Sequence, residues 1–253
     1  MSMFDLTGKV AIVTGGSRGI GLGIAQAFAE AGATIVVAAR DSDQSADAVA
    51  RLQASGATAA SVPTDVSDPD AAQQVVDEAV RLFGRLDILV NNAGVNIRKR
   101  PEEYTVDEWH HVLSVNLDGP FFCSRAAYPV MKAGGGGKII NIASLMSIFA
   151  NAKAAAYGAA KGGLVQLTKA LAVAWAEDGI QVNAILPGWI DTDLTQGARQ
   201  QLPGLEEAVL MRTPEGRWGV PHDIGGAAVF FASSASDFVT GTTLLVDGGF
   251  AAD

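Results

Sequence analysis

The chain has 253 residues, 49% of them hydrophobic and 18% charged, with 27 acidic against 18 basic side chains and a formal net charge of −9. That composition suits a well-buried globular core; it excludes disorder and, since the 29 glycines are dispersed, collagen-like repetition. Its longest basic run is Arg98-Lys99-Arg100, which argues against nucleic acid or an anionic membrane as partner, and one cysteine, Cys123, with three scattered histidines provides neither an internal disulfide nor a zinc cage.

The N-terminal stretch MSMFDLTGKV shows no basic segment followed by a long apolar run, and no apolar run reaches the roughly eighteen residues of a membrane span. A soluble, cytoplasmic protein is expected. VAIVT at 10–14 reads as the first strand and runs directly into TGGSRGIG at 14–21, which opens a helix over 20–31. Gly15, Gly19 and Gly21 leave the backbone bare where a pyrophosphate would approach, and the helix N-terminus supplies amide donors and a favourable dipole. A nucleotide-binding loop is the reading preferred over an ordinary glycine-rich turn.

The second strand, TIVVAA at 34–39, ends where an NAD site usually carries a carboxylate for the ribose 2′-hydroxyl. Here Arg40 follows, and the glycine loop adds Arg18, so two guanidiniums would grip the 2′-phosphate of NADP. Asp41 keeps NAD open as the alternative, although Asp41 or Ser42 reads better as the N-cap of the next helix, 44–54. A weak strand at 59–64, a helix at 71–83, a strand at 87–92 and one long helix at 106–131 follow. Then come a strand at 138–143, a helix at 155–176, a strand at 180–186 and a seventh strand in 242–249. Continuous apolar strands alternating with helices predict a doubly wound α/β Rossmann fold, a mostly parallel seven-stranded sheet covered on both faces. No linker or repeat divides the chain, so one domain is expected over 1–253. The segment 192–217, with Pro203, Gly204 and Pro214, breaks the rhythm and reads as a substrate lid.

Taken together, TGGSRGIG, NNAG at 91–94, Asn116 in SVNLDG, Ser144, YGAAK at 157–161 and PGWIDT at 187–192 resemble the short-chain dehydrogenase/reductase family over nearly the whole chain. The resemblance implies a catalytic tetrad of Asn116, Ser144, Tyr157 and Lys161. Tyr157 would be the general acid of ketone reduction and the base of alcohol oxidation, and Ser144 would hold the substrate oxygen. Lys161 would bind the nicotinamide ribose and lower the pKa of Tyr157, and Asn116 would anchor a water relay to that lysine. For the cofactor it implies Ser17 and Ile20 in the glycine loop, Asp65 and Val66 beside the adenine, and Asn92, Ala93 and Gly94 on the ribose side. Pro187, Gly188, Ile190 and Thr192 would rim the nicotinamide. It also implies a homotetramer. The residue chemistry agrees: a phenol of pKa about 10 needs a nearby cation to act as a base near neutrality. Residues four apart share one helix face, which lets Tyr157 and Lys161 address one cleft.

For the substrate, VNIRKR at 95–100 and RTPEGRWG at 212–219 look most like the gluconate 5-dehydrogenase and 3-deoxy-uronate dehydrogenase branch of that family. A sugar acid or polyol is the leading expectation, with Arg98 either holding its carboxylate or pairing, like Arg100, with surface acids. Met146, Phe149, Trp189, Leu194 and Trp218 would instead build an apolar pocket for an apolar ketone, a cyclic alcohol, a steroid or a 3-oxoacyl thioester. A non-catalytic nucleotide sensor has no need of a complete tetrad. Ser147 reads as a solvated loop serine rather than a secondary substrate contact, Cys123 as core, His110 and His111 as exposed, and His222 as near a helix start.

Overall fold

The structure, a computed structural model, describes residues 2–252. Seven strands form one sheet: β1 (Val10–Thr14), β2 (Thr34–Ala39), β3 (Ala59–Pro63), β4 (Ile88–Asn91), β5 (Gly137–Ile142), β6 (Ile180–Pro187) and β7 (Thr243–Val246), in the order β3-β2-β1-β4-β5-β6-β7. Every pairing is parallel. Around the sheet lie α1 (Gly19–Glu30), α2 (Ser42–Ala54), α3 (Pro69–Phe83), α4 (Val106–Leu113), α5 (Gly119–Ala133), α6 (Ala155–Trp175), α7 (Asp193–Gln201), α8 (Leu205–Arg212) and α9 (Pro221–Ala232). The chain order reverses between β1 and β4, and that crevice at the carboxyl ends of the strands is where a doubly wound sheet binds its ligand.

The continuous apolar strands are explained by their two covered faces. Ile12, Val36, Leu89 and Ile139 pack with Val76 of α3, Ala127 of α5 and Leu171 of α6. Their neighbours Val13, Val37, Val90 and Ile140 pack with Ile24 and Phe28 of α1 and Ile224 and Phe231 of α9. Alternate residues of each strand thus serve opposite layers.

Three departures from the expected elements have physical causes. The helix expected over 106–131 is two helices separated by a π turn, Ser114–Asp118. Pro120, at the start of α5, has no N–H to return to the carbonyl of Asn116, so regular winding fails at this point. Residues 192–217 hold α7 and α8, and a parallel bridge between Ile190 and Gly219 ties the base of this excursion. Helix α9 is expected from the sequence only as a start near His222, without an extent, because Gly225 and Gly226 weaken its local propensity. Yet Gly225 is where α9 meets α1: a Cβ there would lie 2.7 Å from Ala27 Cβ. His222 sits in the first turn of this helix.

Candidate active site

The glycine loop joins β1 to α1, and Gly15 and Gly19 hold left-handed conformations at φ of +61° and +54°. A Cβ on Gly21 would collide with the Gly15 carbonyl oxygen, so only a bare backbone closes this turn. Asn92 braces the loop from β4, its Nδ2 donating to Thr14 O at 2.9 Å and Gly15 O at 3.2 Å. The backbone N–H groups of Asn92 and Ala93 both donate to Thr14 Oγ1. The side chain expected on the ribose side is therefore engaged in holding the phosphate loop to the sheet. Ser17, Arg18, Gly19 and Ile20 line the cleft above it.

Beyond β2, Arg40 lines the cleft and is exposed. Asp41 accepts from the N–H groups of Asp43 and Gln44, the N-cap of α2. Arg18 reaches Asp193 at the start of α7, Nη1 to Oδ2 3.2 Å, so one of the two guanidiniums expected at a 2′-phosphate is shared with the lid segment. Asp65 and Val66 follow β3 into the cleft wall. Asp65 is held below the usual carboxylate range by its hydrogen bond from Ser67, with a smaller contribution from the Arg40 charge.

Ser144 lies two residues past β5 and caps a short 3-10 turn, Leu145–Ser147, its Oγ accepting from Met146 N at 3.1 Å. Ser147 is not a solvated loop serine: its Oγ donates to the Lys161 carbonyl at 3.0 Å, clamping this turn onto α6. On α6, Tyr157 faces the cleft and Lys161 is buried, with Nζ 5.7 Å from the Tyr157 ring centroid and donating to Ile142 O at 2.7 Å. Asn116 sits fully buried in the π turn, donating from Nδ2 to Val95 O and Val112 O, both at 2.8 Å. Its Oδ1 has no partner among the described residues, and Gly94 passes so close that a Cβ would lie 2.8 Å from that oxygen.

The electrostatics differ from the expectation in one respect. Burial drives the Lys161 ammonium towards neutrality, to about 7. Burial also pushes the Tyr157 phenol up, while its hydrogen bond with Ser144 and the charge of Arg98 pull it down. Arg98, a cation that favours the phenolate, comes from the loop after β4 and donates through Nη2 to Leu194 O at 3.0 Å. Burial lowers Arg98 itself, against the opposing pull of Tyr157. Arg98 does not pair with surface acids, whereas Arg100 does, with Glu102.

Met146, Trp189 and Leu194 line the cleft, as do Pro187, Gly188, Ile190 and Thr192 at the end of β6. Trp218 does not. It lies behind Trp189, ring centroids 5.5 Å apart and edge to face, with the Arg199 guanidinium 3.9 Å over its ring. Phe149 is likewise outside the cleft, against Arg212 and Phe250. Sequence reasoning missed Asn96, Asn151 and Lys153, which line the cleft near Tyr157. A parallel bridge between Lys99 and Ala154 brings their two segments together, and no local pattern announces a contact across that sequence distance. Cys123 is core, and burial pushes its thiol up to about 12; His110 and His111 are exposed. No cluster of metal-ligating side chains occurs among the described residues.

The cleft encloses about 880 Å³, near the top of the usual range for ligand pockets of about 300–1,000 Å³. Its residues fit a phosphorylated dinucleotide. A glycine turn too tight for any Cβ opens a helix, Arg40 stands at the end of β2, and the buried Lys161 ammonium spends one of its three donors on Ile142.

Comparison with known proteins agrees with this geometry. The family model described as "Enoyl-(Acyl carrier protein) reductase" matches residues 15–251. The 2-dehydro-3-deoxy-D-gluconate 5-dehydrogenase of Dickeya dadantii is 42% identical over 253 residues, covering 100% of this chain and 99% of its own. The gluconate 5-dehydrogenase of Gluconobacter oxydans is 40% identical over 250 residues, 98% of this chain and 96% of its own. Among solved structures, a gluconate 5-dehydrogenase from Burkholderia cenocepacia in complex with NADP and tartrate superposes with a TM-score of 0.94 at 41% identity, covering 99% of this chain and 98% of that one. Matches of this length and identity, on a glycine-loop Rossmann sheet with Ser144, Tyr157 and Lys161 gathered at one cleft, place the chain in the short-chain dehydrogenase/reductase family of NAD(P)-dependent oxidoreductases acting on CH–OH groups.

Proposed function

We propose that the protein is an NADP(H)-dependent oxidoreductase interconverting a secondary alcohol and a ketone on a sugar acid or polyol. The observation that carries the substrate class is Arg98, a guanidinium in the cleft wall close enough to act on the Tyr157 phenol and without a carboxylate partner among the described residues. The gluconate dehydrogenases among its relatives support the same class. For the cofactor, the support is Arg40 and Arg18 at the end of the cleft where a 2′-phosphate would lie.

Bound nicotinamide supplies the hydride acceptor or donor. The chain's own residues handle the proton and the positions. Ser144 Oγ orients the substrate oxygen, and Tyr157 Oη takes the proton in oxidation and returns it in reduction. Lys161 holds the ribose hydroxyls with the donors that Ile142 leaves free, and Asn116 Oδ1 accepts at the inner end of a proton path behind the lysine. Asp65 and Val66 flank the adenine, Ala93 and Gly94 border the ribose, and Pro187, Gly188, Ile190 and Thr192 border the nicotinamide.

The chain works as one domain, and the residues of 192–217 act as a lid whose two helices, α7 and α8, hang from the Ile190–Gly219 bridge. Assembly as a homotetramer in the cytoplasm completes the reading. No helix among the described residues is long and apolar enough to cross a membrane.

Fluorescence titration with NADPH and NADH, on wild type and Arg40→Ala, tests the cofactor. Preference for NADPH that is lost in the variant is expected; preference for NADH would overturn the phosphate reading. A panel of sugar acids, polyols, cyclic alcohols and aryl ketones tests the substrate. Trp189, Met146 and Leu194 in the wall favour a second reading, an apolar ketone, which turnover of ketones alone would establish in place of the first.

A further inference from the structure

Among the described residues, the basic side chains away from the cleft are largely ion-paired: Lys9, Arg81, Arg85, Lys99, Arg100, Lys132, Lys138, Arg199 and Arg217 each have a carboxylate within 4.0 Å. Inside the cleft the pattern reverses. Arg18 has Asp193, but Arg40, Arg98, Lys153 and Lys161 have no carboxylate partner. Arg40 stands at the nucleotide end and Lys161 is buried beneath Tyr157, which leaves Arg98 and Lys153 at the substrate end. Within the basic run itself, Glu108 serves Lys99 and Glu102 serves Arg100, so nearby acids are engaged and only Arg98 faces the cleft without one. In an acidic chain, two uncompensated cations in one wall are a specific feature.

They are also neighbours by backbone construction. Lys99 and Ala154 form a parallel bridge, so Arg98 and Lys153 each directly precede a bridged residue, one on the loop after β4 and the other in the turn before α6. Both side chains line the same cleft. The Lys153 backbone is fixed by Asn151, whose Oδ1 accepts from Lys153 N at 2.9 Å and whose carbonyl accepts from Ala154 N at 3.1 Å. Helix α6 begins at Ala155, so Tyr157 follows Lys153 by a single turn of chain.

We propose that Lys153 is a specificity-determining residue: with Arg98 it forms a two-cation seat for the carboxylate of a short polyhydroxy acid, setting that substrate with its reacting carbon at Tyr157. The proposal rests on the sugar-acid reading above and adds to it the end of the substrate that is recognised and the residue that selects it. Arg98 supplies a planar fork to both carboxylate oxygens, and Lys153 a mobile point charge that relieves the repulsion between the cations only when an anion lies between them. A neutral polyol of the same shape gains neither contact.

The test is calorimetric titration of the full chain, saturated with NADP, with D-gluconate and with its neutral isostere D-gluconamide, for wild type, Lys153→Gln and Lys153→Arg. Wild type is expected to prefer gluconate, by a margin that shrinks with added salt. Lys153→Gln should lower the gluconate-to-gluconamide affinity ratio about fivefold, and Lys153→Arg should restore most of it. A ratio in Lys153→Gln equal to that of wild type would overturn the seat while leaving the sugar-acid reading intact. If wild type itself binds gluconate no better than gluconamide, the seat falls and with it the sugar-acid half of the proposed function, leaving the polyol.

Discussion

Tyr157 must ionise in a site that disfavours ions. Burial pushes its phenol up, and the lysine four residues along, driven to about 7 by its own burial, is a weak source of compensating charge. The charge of Arg98, from a loop about sixty residues away in the chain, also favours the phenolate. Arg98→Met is therefore expected to move the pH profile of alcohol oxidation to the alkaline side, since removing a cation destabilises the phenolate. Activity lost at neutral pH should return as the pH rises, and an unmoved profile would count against the assignment. Tyr157→Phe has no such recovery available and should lower kcat by about 10²–10⁴-fold at every pH, with NADP binding retained. Ser144, Tyr157 and Lys161 were picked out by the family resemblance, and the structure brings Ser144 and Tyr157 to one cleft with Lys161 buried beside them. The meeting of the segments that carry Arg98 and Lys153 was not legible, since a bridge between Lys99 and Ala154, far apart in sequence, creates it. Trp218 was misplaced for the converse reason: its proximity in sequence to the lid gives no sign that Trp189 stands in front of it.

Among the elements, the strands and the glycine loop were readable because their signals are local: apolar runs bounded by turn residues, and glycines at the start of a helix. Helix α9 was readable only at its start near His222, because its two glycines lower propensity while packing reverses the preference. The two are separable by substitution. A Cβ at Gly225 would press on Ala27 of α1, whereas at Gly226 it would meet nothing within 4 Å. Gly225→Ala should then cost about 1–3 kcal/mol as the helices are forced apart. Gly226→Ala should stabilise by about 0.4–1 kcal/mol through a less flexible unfolded chain. Thermal melts of the two variants, moving in opposite directions, would check this. The π turn follows the same logic. Pro120 interrupts the winding, and the side chain of Asn116 is bonded to Val95 and Val112 where a regular helix would have carried it elsewhere.

At the scale of the whole molecule, the buried charges leave a signature in stability against pH. Lys161 falls from an ordinary 10.5 to about 7 on folding. Between those values the unfolded chain holds a proton that the folded chain has released, so this group makes stability rise with pH across that window and be flat below it. Lys161→Met should remove that slope in denaturant melts run from pH 7 to 10. Asp87 acts at the other end. Burial raises its carboxyl, but Arg85, the Val10 N–H and Lys9 together outweigh burial and hold it below 3.8. Its stabilising contribution is present above that value and is lost as the pH falls through the lower folded-state pKa.

From the sequence alone, the doubly wound sheet, the glycine loop at the start of α1 and the family followed, because the first two depend on patterns within a few residues and the third on motifs whose order along the chain is legible. The tertiary structure decided which cations line one cleft, which tryptophan meets it, where the long helix yields and which glycine is a contact. All four are set by segments that meet only after the chain has folded, where exclusion of water and close approach, not propensity, determine the outcome.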